Sequence, residues 1–423
     1  MRKGERMKIA KLVGREIYDS CGWPTLECKI ILEDGQSVSA SVPSGLSRGK
    51  QEAFELRDGG PRMMGKGVSK AVDILESVIA PTLIGKEPNL VSMDLAMIDL
   101  DGTPDKSKLG ANTILAASMA ILKAQALIEE MAVYELVGYL CEYSSVSLPF
   151  AMFNCISGGA HAPGNVRIQE MMVIPIGSQN FRGCMEAAVL VHHYLYSLLQ
   201  KNFSHVGVSV EGALTANFED DAQALEYLME AINSVQESTN YRFLIAFDVA
   251  ASQFYNKKNN TYNWYGKTLT AQELIDLYTR LINQYPVFSI EDGLSETDEE
   301  GWITMTEQLS EKVQIIGDDI FASAPNNIAS AIEKSMATGA IIKPNQIGTI
   351  TQTLQSIKLC REYDMTCIVS HRSCETIDTT IVDLVIGTST GYIKAGGIAR
   401  AEHTAKYNEL LRIEDSLMLS LLE

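Results

Sequence analysis

No C-x-x-C pair occurs among the eight cysteines of this 423-residue chain, so the commonest short signature of a zinc or dithiol redox site is missing. Several cysteines, including Cys28, Cys155 and Cys367, lie in apolar runs and read as buried thiols of a reducing cytoplasm. Cys21 and Cys374 sit in loop-like contexts and fit that reading less well. Positive charge is also scarce: 35 Lys and Arg stand against 53 Asp and Glu, a formal net charge of −18. An acidic surface opposes nonspecific binding to nucleic acid or anionic membrane, so a phosphorylated ligand must meet a local cluster of cations or a metal. There is no low-complexity tract, and no membrane span is expected. The opening Met1 to Met7 is basic and polar and leads into a strand pattern, so no signal peptide is expected and Met7 is itself a candidate start. What remains is an ordinary globular balance, 46% hydrophobic and 21% charged, with length enough for two domains.

Six short apolar segments organise the second half. They are 244–248, 287–291, 314–318, 340–343, 367–371 and 391–394, and they end in Asp248, Glu291, Asp318, Lys343, His371 and Lys394. Steps of roughly 25 residues, with one longer, suit strand-plus-helix units of an α/β barrel, whose functional groups stand at strand C-termini. Amphipathic stretches at 271–284, 326–336, 350–363 and 376–386 supply the return helices. One charged strand end is most simply a cap; six in series point to a single mouth.

The first block, residues 1–147, reads as an α+β domain, with strand patterns at 9–18, 26–32 and 38–42 followed by helix patterns at 68–79, 93–100 and 111–131. Between them lies the small-residue loop 43–50, suited to a lid or a phosphate-binding loop. At Leu148-Pro149 the character changes, and residues 148–423 form the barrel block. It opens with the glycine-rich loop 157–165, which carries His161 and is followed by Gln169 and Glu170. His192 and His193 lie mid-helix and read as surface or packing residues. Glu211 ends the apolar run 206–210, where one-sided desolvation should raise its pKa and favour a general acid.

Three carboxylates on neighbouring strand ends, Asp248, Glu291 and Asp318, are hard oxygen ligands suited to Mg²⁺. Lys343 and Lys394 face them, and with a divalent ion close by one lysine should have a lowered pKa and act as a base. Such a set can remove a proton α to a carboxylate.

Ten short words carry a resemblance to a known family. They are 14–17, 43–45, 55–58, 65–67, 99–103, 289–293 (Ser289-Ile290-Glu291-Asp292-Gly293), 317–319, 345–348, 370–373 (Ser370-His371-Arg372-Ser373) and 405–408. Through them the chain resembles the enolases over essentially its whole length. The resemblance implies a modified TIM barrel of the enolase type, ββαα(βα)₆, behind an N-terminal α+β domain. It also implies reversible dehydration of 2-phosphoglycerate to phosphoenolpyruvate in glycolysis, with two Mg²⁺ per site. Asp248, Glu291 and Asp318 would hold the tighter ion, and Ser47 would help place the second. Lys343 would take the C2 proton; Glu211, supported by Glu170 and Gln169, would protonate the leaving hydroxyl. Lys394 would hold the carboxylate, Arg372 and Ser373 would grip the phosphate, and His161 and His371 would complete the pocket. A cytoplasmic homodimer or higher homo-oligomer is implied, with Glu27 and Arg412 at the subunit contact, and cell-surface display as a secondary location.

Departures from the family pattern gather in loops: Arg48, Ser157, Ala160, Val210, Pro344, Cys21 and Cys374. Two alternatives therefore stand beside a working hydratase. One is a weakened paralogue acting as a binding or scaffold protein. The other is a superfamily lyase on a different acid, against which the strand after Gln169 lacks a Lys-x-Lys pair.

Overall fold

The computed structural model describes residues 7–46, 49–143 and 145–420. Its chain begins with three antiparallel strands, β1 (Ile9–Tyr18), β2 (Pro24–Leu32) and β3 (Ser37–Ser41). β2 buries Leu26, Cys28, Ile30 and Leu32 on one face, the alternation of a half-buried sheet. Against it lies the helix Ala111–Ile128, which is long and apolar enough to cross a membrane by length and composition. It is nevertheless a core helix, with Ile114, Leu115, Ile121 and Leu122 inaccessible to solvent. The helix Val133–Leu140 then leads towards the second block.

That block is a closed ring of eight strands. Its members are β4 (Phe150–Ser157) and β5 (Glu170–Ile176), which are antiparallel to each other, then β8 (Arg242–Asp248), and β12 (Val287–Glu291), β13 (Gln314–Gly317), β14 (Gly339–Ile342), β15 (Thr366–Ser370) and β16 (Gly391–Lys394). β16 pairs with β4 to close the ring. A small hairpin, β6 (Val206–Val208) and β7 (Leu214–Ala216), hangs from β4, and a meander of β9 (Tyr255–Asn256), β10 (Thr261–Trp264) and β11 (Lys267–Leu269) follows β8. Two helices, Phe181–Asn202 and Asp221–Ser238, come between β5 and β8, after which strand and helix alternate. The order is ββαα(βα)₆, the expected fold class.

Period-two burial explains the ring. Met172, Ile174, Ala246, Ile316, Ile341 and Ile368 fill its interior, while Met171, Val173, Ala340 and Ile342 face outward into the larger core beneath the helices. Because β5 runs against its neighbours, its first residue, Glu170, pairs with the last residue of β8, Asp248. The start of β5 therefore opens at the same mouth as the C-terminal ends of the others.

The expected helices at 271–284 and 350–363 form at Ala271–Gln284 and Ile350–Glu362. The pattern at 376–386 becomes a helix only from Thr380 to Thr388. Its first residues are taken by the N-terminal domain: Ser41 Oγ donates to Thr376 Oγ1, and Lys123 pairs with Asp378 at 2.7 Å.

One buried acid gives this fold a pH signature. Asp94 is inaccessible to solvent and accepts the Thr351 N–H at 2.9 Å. Desolvation pushes its carboxyl up to about 6 from 3.8. A raised carboxyl pKa means that the folded state holds the proton more tightly than the unfolded state. Its stabilising contribution is thus full below pH 3.8 and lost as pH rises through about 6, a cost of about 3 kcal/mol at neutral pH. Asp94→Asn should therefore raise the thermal midpoint at pH 7 but not at pH 4, which a pH series on both proteins checks.

Candidate active site

Six strands of the ring deliver a polar group to the mouth, above an interior filled by apolar side chains. Asp248, Glu291 and Lys394 are the last residues of β8, β12 and β16; Asp318, Lys343 and His371 follow β13, β14 and β15 directly. All of these except Glu291, together with His161, Gln169, Glu170, Glu211, Arg372 and Ser373, line one chamber; Glu291 lies behind the lining, bonded to Lys394. In the ring order β4, β5, β8, β12, β13, β14, β15, β16, four steps separate β5 from β14 in either direction. Glu170 and Lys343 therefore stand diametrically across the mouth.

Two lysines engage four of the carboxylates. Lys394 Nζ lies 3.0 Å from Asp248 Oδ2, 2.8 Å from Glu291 Oε2 and 3.3 Å from Glu170 Oε1. Lys343 Nζ is bonded to Asp318 Oδ2, whose other oxygen accepts from Gln346 Nε2 at 3.1 Å. Asp248, Glu291 and Asp318 thus occupy adjacent strand ends as expected, but each is engaged by an ammonium. Among the described residues Asp292, Asp318 and Asp319 form an all-carboxylate trio, with one oxygen from each within 4.8 Å of the others. Asp292 was not among the sequence candidates. It accepts the backbone N–H groups of Asp318 and Asp319 and so sets the direction in which Asp318 points.

The expected lowering of a lysine pKa is not what these surroundings give. Burial, the largest single influence, works to lower the Lys343 ammonium, but the neighbouring carboxylates, Asp318 foremost and then Glu291, together carry the net direction up. Lys394 also rises, as Asp248, Glu170 and Glu291 overcome its desolvation. The expectation for Glu211 is reversed as well. Desolvation works to raise it, yet His161, with Nδ1 at 3.2 Å, holds it well below the usual range. The raised member is Glu170, buried and facing the Glu211 charge. The two buried carboxyls push each other's titration in opposite directions, Glu170 up and Glu211 down.

Glu211 is presented by a loop that depends on glycine. Gly212 has φ +79, and a Cβ there would lie 2.3 Å from Ala399 O. One departure from the family pattern, Ser157, finds a role in this loop. Ser157 Oγ donates to Ser209 Oγ at 3.0 Å, and Ser209 Oγ accepts the Glu211 N–H at 3.2 Å. Asn154 Nδ2 reaches both Ser157 Oγ and Glu211 Oε2. Pro344 fits too: it is the first residue of a short helical turn, where no N–H is needed, and Lys343 before it stays extended with its own N–H on Ser323 Oγ.

Arg372 makes a two-pronged buried pair with Glu52, at 2.9 and 3.2 Å. Ser373 Oγ lies 3.2 Å from His161 Nε2. Nothing in the local sequence marked Glu52, whose partner is 320 residues away. Gln169 donates to Asp248 at 3.2 Å. His371 is buried with its Nδ1 unpartnered among the described residues. Ser47 and Arg48 lie outside the described residues.

Burial together with Asp248 pushes Glu291 up to about 8. A mouth this acidic is short of positive charge, and its donors are carboxylate oxygens, so the residues present fit a hard divalent cation.

A ββαα(βα)₆ barrel with carboxylates and lysines at such a mouth defines the enolase superfamily of lyases. Residues 145–420 match the family model described as enolase, C-terminal TIM barrel domain, and residues 9–137 match enolase, N-terminal domain. The chain belongs to the enolase family.

Proposed function

We propose that the protein is a phosphopyruvate hydratase acting on 2-phosphoglycerate. The observation that carries this reading is the placement of Lys343 and the Glu170–Glu211 pair on opposite sides of one chamber. Removal of the C2 hydrogen from one face and loss of the C3 hydroxyl from the other needs a base and an acid so separated. Lys343, unprotonated, takes the C2 proton; the C–H electron pair forms the C2–C3 double bond as the C3–O bond breaks. A proton from the Glu170–Glu211 pair goes to the departing hydroxide, which leaves as water. Lys394 holds the substrate carboxylate, and Arg372 and Ser373 hold the phosphate, with Gln169, His161 and His371 bounding the pocket.

Mg²⁺ would be held by Asp248, Glu291 and Asp318, with Ser47 proposed for a second ion, and it supplies positive charge to the substrate carboxylate. Bound there, it would also relieve the carboxylates that keep both lysines protonated. We further propose a cytoplasmic homodimer. Glu27 and Arg412 are available on the surface for such a contact, paired within the chain to Arg15 at 2.7 Å and Glu409 at 2.6 Å.

The test is direct. Purified protein with Mg²⁺ should produce a rise in enol absorbance from 2-phosphoglycerate; no rise, or faster turnover of a non-phosphorylated acid, would overturn the assignment.

A further inference from the structure

Six cysteines are buried free thiols, as their apolar contexts suggest. Cys21 and Cys374 are not: they are joined as a disulfide, with Cα atoms 5.3 Å apart and 353 residues between them in sequence. Cys21 lies in the turn between β1 and β2 of the N-terminal domain, and Cys374 directly follows Arg372-Ser373 of the barrel. The bond is the one covalent link between the domains apart from the chain itself.

Its surroundings make it part of the chamber wall. Cys374 exchanges two backbone hydrogen bonds, each 2.9 Å, with Ser44 of the small-residue loop. The residue before it, Ser373, touches His161; the residue after it, Glu375, accepts the Arg372 N–H at 3.1 Å and gives its carbonyl to the Ser20 N–H. A bond at this point therefore fixes where Arg372 and Ser373 stand relative to the N-terminal domain, which also supplies Glu52, the partner of Arg372.

The site is also built for exchange. Cys374 is buried and Cys21 half-buried, so a soluble thiol has one sulfur to attack. An Asp19 carboxylate oxygen lies within 4.8 Å of both sulfurs. Asp19 is 7% exposed, and its Oδ2 has no hydrogen-bond partner among the described residues. Once protonated from water, it can relay that proton to the Cys374 sulfur as that sulfur leaves.

We propose that Cys21 and Cys374 form a thiol–disulfide exchange site that ties the anion-gripping loop to the N-terminal domain, so that the oxidised protein binds phosphate groups more tightly than the reduced protein. The co-reactant is a small dithiol. Its thiolate attacks Cys21 Sγ, the bond between the two cysteines breaks, and Cys374 departs and is protonated. The second thiol then displaces Cys21, leaving two protein thiols and an oxidised, cyclic reagent. Two electrons and two protons reach the protein, and glutathione disulfide reverses the change. The bond stands independently of the reaction; the effect on anions rests on the reading of Arg372 and Ser373 as phosphate ligands.

The test uses the full chain and inorganic phosphate, with no turnover required. After exposure to glutathione disulfide, denatured protein should titrate six thiols, and eight after reduction by a dithiol. Phosphate affinity, read by calorimetry, should fall about three- to ten-fold on reduction, the loss expected when a preorganised loop is released. Cys21→Ala should match the reduced protein and ignore oxidant. Eight thiols after oxidation would overturn the exchange site. Equal phosphate affinities in the two states, or no phosphate binding by either, would overturn its coupling to the chamber.

Discussion

Replacing Lys343 by alanine should cost turnover of 2-phosphoglycerate about 10²–10⁴-fold, the range for removing a positioned general base, while the variant still unfolds in a single cooperative transition. The Lys343 side chain is only 14% exposed, and its partner Asp318 keeps Gln346 as a second donor. The barrel can therefore lose this side chain without collapsing. The loss should fall on kcat, because the proton is transferred only in the chemical step. Steady-state kinetics of the variant, alongside its melting curve, separates this result from simple unfolding. A variant that keeps more than a tenth of the parent rate would remove Lys343 from the mechanism.

The second large effect is on stability, at Lys406. This lysine is almost fully buried on the C-terminal helix. Its Nζ reaches Glu375 Oε2 at 2.8 Å, Glu402 O at 2.8 Å and Thr376 O at 2.5 Å. Glu375 in turn accepts the N–H groups of Arg372 and Thr376. Lys406→Met leaves that carboxylate charged, buried and unpaired, which costs about 3–5 kcal/mol. Adding Glu375→Gln should recover part of the loss, because the uncompensated charge then disappears. Denaturant titrations of the single and double variants measure both numbers, and an unchanged midpoint for Lys406→Met would show the pair to be without structural weight.

The strand ends were legible in the sequence for a physical reason. A parallel barrel strand is buried on both faces and so reads as a short apolar run, and the first polar residue after it is where the mouth begins. Asp248, Glu291, Asp318, Lys343, His371 and Lys394 were all found that way. Contacts between distant segments escaped the same reading. Glu52 meets Arg372, and Cys21 meets Cys374, across more than three hundred residues, and nothing in either local pattern announces the partner. Thr376 to Asp378 has helical periodicity but is captured by Ser41 and Lys123, a case of tertiary contacts overriding local preference. Charge directions were the least legible. Whether Glu211 rises or falls depends on His161 Nδ1 at 3.2 Å, a distance that only the folded loops 157–165 and 209–213 create.

The most direct test follows the C2 hydrogen of 2-phosphoglycerate in deuterated water with Mg²⁺ by proton magnetic resonance. The parent protein should exchange it for deuterium, and Lys343→Ala should not. A parent that leaves the C2 hydrogen in place, or a Lys343→Ala variant that still exchanges it at the parent rate, would contradict the base on which the proposed hydratase rests.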